Sequence, residues 1–332
     1  MKLLRLKSVR GGSRPLPNII VVGAWTTLIV FAVVGIFAPW VAPQVPTDQT
    51  LAMRLQPPGT EGYLLGSDQL GRDVLSRLIF GARISLFIGF VVMLLTAVLG
   101  VTIGLVSGYV GGKVDTVIMR IVDMWLAFPF LLMAIALVAV LGRGLDKLVL
   151  ALVLSGWPGI ARPVRGEVLQ LREREYTLSA KVLGVSPVGI MFRHLLPNIM
   201  PTVLVLAALD LGANILALAA LSFLGLGMGA EVATWGGMLA SGRSYVTSAW
   251  WLAALPGIAI FLVVMAANLI GDWIRDRYDP RSPFRQAKNE RAALAAAAVV
   301  APVSGLSPRD SERTPDRARE LQKPNEQSTR LP

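Results

Sequence analysis

The chain has 332 residues, of which 54% are hydrophobic and 16% charged, with a mean hydropathy of +0.60. Soluble globular domains carry roughly 25% charged residues, so this composition excludes a disordered chain, a collagen-like chain and an ordinary soluble enzyme, and points to a polytopic membrane protein. A formal charge of +11, one histidine and no cysteine exclude disulfides, zinc knuckles and cysteine nucleophiles and leave a base excess that membrane topology explains without nucleic acid.

A helix needs roughly 20 apolar residues to cross about 30 Å of hydrocarbon. The first such run, residues 18–42, follows a basic segment at 1–17 that holds Lys2, Arg5, Lys7, Arg10 and Arg14 but no acid. It exceeds the roughly 7–15 apolar residues of a signal peptide and reads as an uncleaved first span. Residues 43–83 are rich in Pro and Gly and balanced in charge, an ordered extracytoplasmic segment.

A second run lies between Arg83 and Lys113, and a third between Asp123 and Arg143, where Pro129 predicts a kink. The fourth, residues 148–161, is short and holds Pro158. A fifth covers residues 200–223 around an embedded Asp210, and a sixth covers 250–270 before a charged string. Residues 276–332 read as a largely disordered cytoplasmic tail, rich in Pro, Arg and Glu. The prediction is an all-α protein of six transmembrane helices, five of them in a core at residues 84–275.

Six spans put both termini on one side. Most of the 32 Lys and Arg then fall on that side, in the N-terminal segment, around Lys113 and Arg120, between Arg162 and Arg193, and after Asp272. The opposite side keeps Arg54, Arg72, Arg77, Arg83, Arg143, Lys147 and Arg243. Bases collect in the cytoplasm, so both termini are expected there.

No catalytic constellation emerges. Gly111-Gly112-Lys113 lacks the spacing and the Ser/Thr of a phosphate-binding loop, and Gly225-x-Gly227-x-Gly229 has no βαβ unit around it. One histidine and no cysteine argue against a metal cluster or a Ser-His-Asp triad, and His194 falls in a cytoplasmic loop rather than beside a membrane-buried nucleophile. No cofactor is expected on this chain. Charges inside a membrane segment usually face a bundle interior or a watery path, which makes Asp123 and Asp210 candidates. Asn214, four residues after Asp210, shares its helix face and can hydrogen-bond it. Asp123, one turn after Arg120, has an interfacial reading, and Asp210 a structural one.

The segment between the fourth and fifth spans, residues 162–198, is too long for a simple connection. Leu178 to Leu183 can form a short helix that Gly184 ends in the left-handed conformation. Ser186 then serves as N-cap with Pro187 at the first helical position, and the second helix runs to Leu196 before Pro197 breaks it. Two short helices at a fixed angle can dock into a groove of a soluble partner; the alternative is an ordinary basic loop.

Within it, EYTLSAKVLGVSPVGIMFRHLLPN (residues 175–198) resembles the EAA coupling loop of ABC-importer permeases. Ser179 and Ala180 match its small pair, Gly184 its glycine, and His194, Leu196 and Pro197 its closing H-x-L-P; Leu178 replaces the glutamate. LGSDQLGRDVLSRLIFGARISL (65–86), DMWLAFPFLLMA (123–134), ALSFLGLG (220–227), WGGML (235–239) and YDPR (278–281) are similar to the C-type permease of the oligopeptide/dipeptide/nickel branch. Two departures stand out: Leu218 sits where that branch often has glutamate, and GAEVAT precedes Trp235 in place of prolines.

The resemblance implies a type I ABC-importer permease fold in a bacterial inner membrane. It implies a homologous B-type permease as partner, two cytoplasmic ATPase subunits that bind ATP and Mg, an extracytoplasmic substrate-binding protein, and membrane lipid around the helices. The coupling loop at 163–198 would carry the ATPase contact, through Leu178, Ser179, Ala180, Gly184, His194, Leu196 and Pro197. Peptide is the expected cargo; nickel or another small solute is the alternative within the branch, and an ion-coupled transporter built on Asp210 the alternative outside it.

Overall fold

The computed structural model describes residues 18–229 and 231–278. The expectations for residues 1–17 and for the tail beyond Tyr278 fall outside these residues. Among them the regular structure is helical, with two isolated β-bridges. The helices are α1 (Asn18–Ile36), α2 (Ala38–Val41), α3 (Val74–Val110), α4 (Gly112–Leu126), α5 (Phe130–Leu141), α6 (Leu145–Leu171), α7 (Glu175–Val182), α8 (Pro187–Gly189), α9 (Leu196–Phe223), α10 (Trp235–Gly242) and α11 (Trp251–Tyr278).

Among the described residues, five helical stretches are long and apolar enough to cross a membrane, namely α1, α3, α6, α9 with the turns that lead into it, and α11. A sixth exists if α4 and α5 count as one broken span, bent by 89°. The break falls at Pro129, whose extended backbone (ψ 131°) starts α5. With 12 residues, α5 reaches only roughly 18 Å at about 1.5 Å per residue, short of a full bilayer crossing.

Three boundaries differ from the sequence pattern. Helix α3 starts at Val74, well before Arg83, because Asp73 caps it: its carboxylate accepts from the Ser76 amide at 2.7 Å and the Ser76 hydroxyl at 2.6 Å. Helix α6 passes through both Pro158 and Pro163 to Leu171, so residues 163–171 are helix, not loop. Pro197 does not break the chain either. A wider π turn at Ile190–Leu195 carries α8 into α9, with the Leu196 amide bonded five residues back to Met191 O. That extra residue relieves the clash a proline ring makes with the preceding turn.

The most extensive helix contact among the described residues joins α3 to α6. Gly100, Gly104 and Gly108 stand at four-residue intervals on α3, where a Cβ would meet Ile160 and Trp157 O, Ala161 O and Val164, and Val168 and Arg165 O respectively, all at 2.6–3.0 Å. Small residues at this spacing let two helix backbones touch, which is how helices associate where lipid removes the hydrophobic drive. Trp235 on α10 is fully buried. Its indole N–H donates to Leu78 O at 3.0 Å and its ring meets Phe31 edge-on at 5.4 Å, pinning α10 between α3 and α1.

The segment between α2 and α3 is tightly hydrogen-bonded. Asp68 is buried and accepts from the Leu70 and Arg72 amides (2.8 and 3.0 Å) and from Arg72 Nε (2.6 Å). Ser67 O accepts from the Trp251 indole at 3.4 Å, tying the segment to the start of α11. Gly71 (φ +74°) lies so close to Thr50 O that a Cβ would overlap it.

Candidate functional site

Residues 172–198 form a lever whose internal geometry follows from local chemistry. Thr177 Oγ1 donates to Leu171 O at 2.8 Å and fixes α7 at the end of α6. Glu175 in the first turn and Lys181 in the last oppose the helix dipole favourably. At the far end Gly184 takes φ +79°. The Val185 amide reaches back to Ala180 O and the Gly184 amide to Lys181 O, both at 3.1 Å, the paired bonds of a Schellman cap. Ser186 accepts from the Gly189 amide at 3.2 Å, with Pro187 in the first turn of α8.

The lever is fastened to the core by one face. Ala180, Ile190 and Leu195 are buried with Val164 and Val168 of α6, Leu105 of α3, and Ile199 and Val203 of α9. Its other face is apolar and bare: Val182 and Leu183 are 87% and 82% exposed, and Leu178, Val188 and Phe192 are exposed beside them. The same segment carries Arg172, Arg174, Lys181 and Arg193. An exposed apolar patch rimmed by charge marks a protein-binding surface.

The expected coupling residues divide between these two faces. Ala180 is a packing residue; Leu178 and Ser179 are exposed; Gly184 shapes the turn; Leu196 is half-buried and Pro197 exposed at the start of α9. His194 is half-buried, and its backbone oxygen accepts from Asn198 Nδ2 at 2.6 Å.

Four side chains that sequence reasoning missed clamp the base of the lever. Arg165 on α6 holds both oxygens of Asp115 on α4, each at 2.5 Å, and Ser107 on α3 donates to the same carboxylate. Arg172 donates to Gly108 O at 2.9 Å. The sequence signal for these contacts was the small-residue repeat at Gly100, Gly104 and Gly108, which brings α3 and α6 to touching distance.

Of the path candidates, Asp210 and Asn214 are joined by a hydrogen bond at 2.8 Å, and Asn214 is buried. Asp123 instead pairs with Arg162 of α6, both side chains more than half exposed. The described residues contain no group of three His, Cys, Asp or Glu that could hold a metal.

A bundle of apolar helices long enough to cross a membrane, with a surface lever rooted in its core, is the architecture of a permease component. The chain belongs to the family of binding-protein-dependent transport system inner membrane components, whose model matches residues 100–282. It is therefore a multi-pass protein of the inner membrane and works with other components of an ABC transporter. Among its relatives, the di/tripeptide transport system permease protein DppC of Pseudomonas aeruginosa is 43% identical over 259 residues, 76% of this chain and 85% of that protein. The dipeptide transport system permease proteins DppC of Haemophilus influenzae (39%; 76% and 88%) and Bacillus subtilis (40%; 76% and 78%) are similar over the same share of this chain.

Proposed function

We propose that this chain is one of two homologous permease subunits of an ATP-driven importer of dipeptides and oligopeptides. The B-type permease is its partner in the membrane, two ATPase chains lie in the cytoplasm, and a substrate-binding protein docks on the extracytoplasmic face. Both termini and the lever at 172–198 are cytoplasmic in this reading. ATP and Mg belong to the ATPase chains.

One observation carries the transport role: the bare apolar face of a lever whose opposite face is sealed into α3, α6 and α9. Val182, Leu183, Val188 and Phe192 enter a groove of one ATPase subunit. Closure of the ATPases then moves α6 and α9 together with the lever, switching the path between its two sides as a rigid-body change. Asp210 and Asn214 give that path a polar patch, and Asp123 with Arg162 lies near its cytoplasmic mouth. The peptide cargo rests on the likeness to di- and tripeptide permeases along the length of the core.

Proteoliposomes holding the whole complex test the reading through uptake of labelled dipeptide and of nickel. ATP-dependent dipeptide uptake is expected. Nickel uptake without dipeptide uptake would overturn the cargo, and uptake that persists without ATP but collapses with the proton gradient would overturn the class.

A further inference from the structure

A groove of 790 Å³ runs between α1 and α3 and is lined almost wholly by apolar side chains, among them Leu28 and Ile36 of α1 and Phe87 and Phe90 of α3. Its exception is Arg83. The Arg83 side chain is exposed and makes no hydrogen bond or ion pair with any described residue.

Three features place Arg83 at a membrane–water boundary. Its backbone packs against Gly35, in the last turn of α1, at 3.0 Å from where a Cβ would stand. Just beyond that turn, the rings of Phe37 and Trp40 lie 5.7 Å apart, with Trp40 78% exposed, the amphipathic aromatics found at headgroup depth. Leu145, which also lines the groove, opens α6 beside Asp146 and Lys147. From this level the groove descends from Arg83 to Phe90 on α3 and from Ile36 to Leu28 on α1, roughly 10–12 Å at about 1.5 Å per residue. That depth lies within one leaflet of a bilayer core about 30 Å thick.

We propose that this groove binds one phospholipid, an acyl chain lying between α1 and α3 and the phosphodiester on the Arg83 guanidinium. The apolar lining suits an acyl chain and not a peptide, whose amide groups would lose water without gaining partners. The guanidinium fork matches a phosphate through paired charge-assisted hydrogen bonds. An internal contrast exists: the groove of 880 Å³ between α9 and α11 is also apolar but holds Asp272 in place of a base, so it offers no hold on a phosphate. The proposal does not depend on the cargo.

The test is native mass spectrometry of the complex, with the chains that co-purify, released from nanodiscs of phosphatidylglycerol. Wild type should retain one tightly held phosphatidylglycerol that Arg83→Gln retains about tenfold less and Arg83→Lys in between. Ala32→Phe, at an exposed groove residue, narrows the slot with Arg83 intact and should cause the same loss. Equal retention by wild type and Arg83→Gln overturns the proposal. So does displacement of the lipid by inorganic phosphate or by dipeptide, which makes the site a general anion or substrate site. Cross-linking of Phe87→Cys to a second permease chain, with no lipid retained, also overturns it.

Discussion

Gly184 has φ +79° and nothing within 4 Å of where a Cβ would sit, so replacing it costs conformation and not space. A left-handed non-glycine residue costs roughly 1–2 kcal/mol, and a β-branched one more. Gly184→Val is therefore expected to disturb the angle between α7 and α8 while the membrane core stays folded. The measurement is ATPase co-purification together with uptake, both of which should fall while the melting temperature of the helices changes little. Unchanged co-purification and uptake would remove the lever from the coupling mechanism. This turn was legible because Gly184, Ser186 and Pro187 act on their immediate neighbours. The ion pairs were not, since Asp115 and Arg165 lie 50 positions apart and only folding brings them together. Their worth follows from burial. The Arg165 and Asp115 side chains are 28% and 15% exposed, against 52% and 56% for Arg162 and Asp123. A double-mutant cycle with Asp115→Asn and Arg165→Gln should give a coupling energy of about 1.5–3 kcal/mol, whereas the exposed pair should give about 0–1 kcal/mol. Equal values for the two cycles would show that the inner pair is as solvated as the outer one.

Helices α3 and α6 owe their close approach to the glycines on α3. A Cβ on Gly104 would stand 2.6 Å from Ala161 O, and a backbone atom cannot swing aside as a side chain can. Gly104→Leu should cost roughly 3 kcal/mol, the upper range for overpacked cores, seen as a clear fall in the melting temperature of the purified complex. Gly159→Ala on α6, where nothing lies within 4 Å of the position a Cβ would take, should be neutral or stabilising by about 1 kcal/mol through helix propensity. A neutral Gly104→Leu would mean that the two helices can separate at little cost. The prolines show why element ends were harder to read than element number. Each of Pro158, Pro163, Pro197 and Pro129 is a potential break, and only Pro129 makes one. Pro158 is buried within α6, and Pro197 follows a π turn that absorbs its ring. Tertiary contacts hold those helices together across the missing amide. At Pro129, α4 is instead tied to α6 through Asp115 and Asp123 and turns away from α5.

At the scale of the whole molecule, the asymmetry of charge and the asymmetry of structure can be tested against each other. The lever and its bases lie at one end of the bundle, and the hydrogen-bonded segment before α3, with Leu64 69% exposed, belongs to the other end of that helix. Apolar spans and turn chemistry were visible in the sequence because hydropathy is a property of each residue in turn. Their assembly was not, because glycine contacts and ion pairs join positions far apart. Since the chain holds no cysteine, single replacements report without a background to remove. Val182→Cys, at a side chain 87% exposed, should react with a membrane-impermeant maleimide only in inside-out vesicles. Leu64→Cys should react only in right-side-out vesicles. The proposed ATPase contact adds a second reading, because Val182→Cys should lose its reactivity when the ATPase chains are present and regain it when they are stripped. Labelling of both positions from one side would invalidate the orientation. Labelling of Val182→Cys that ignores the ATPases would leave the orientation intact and move the coupling surface elsewhere on that face.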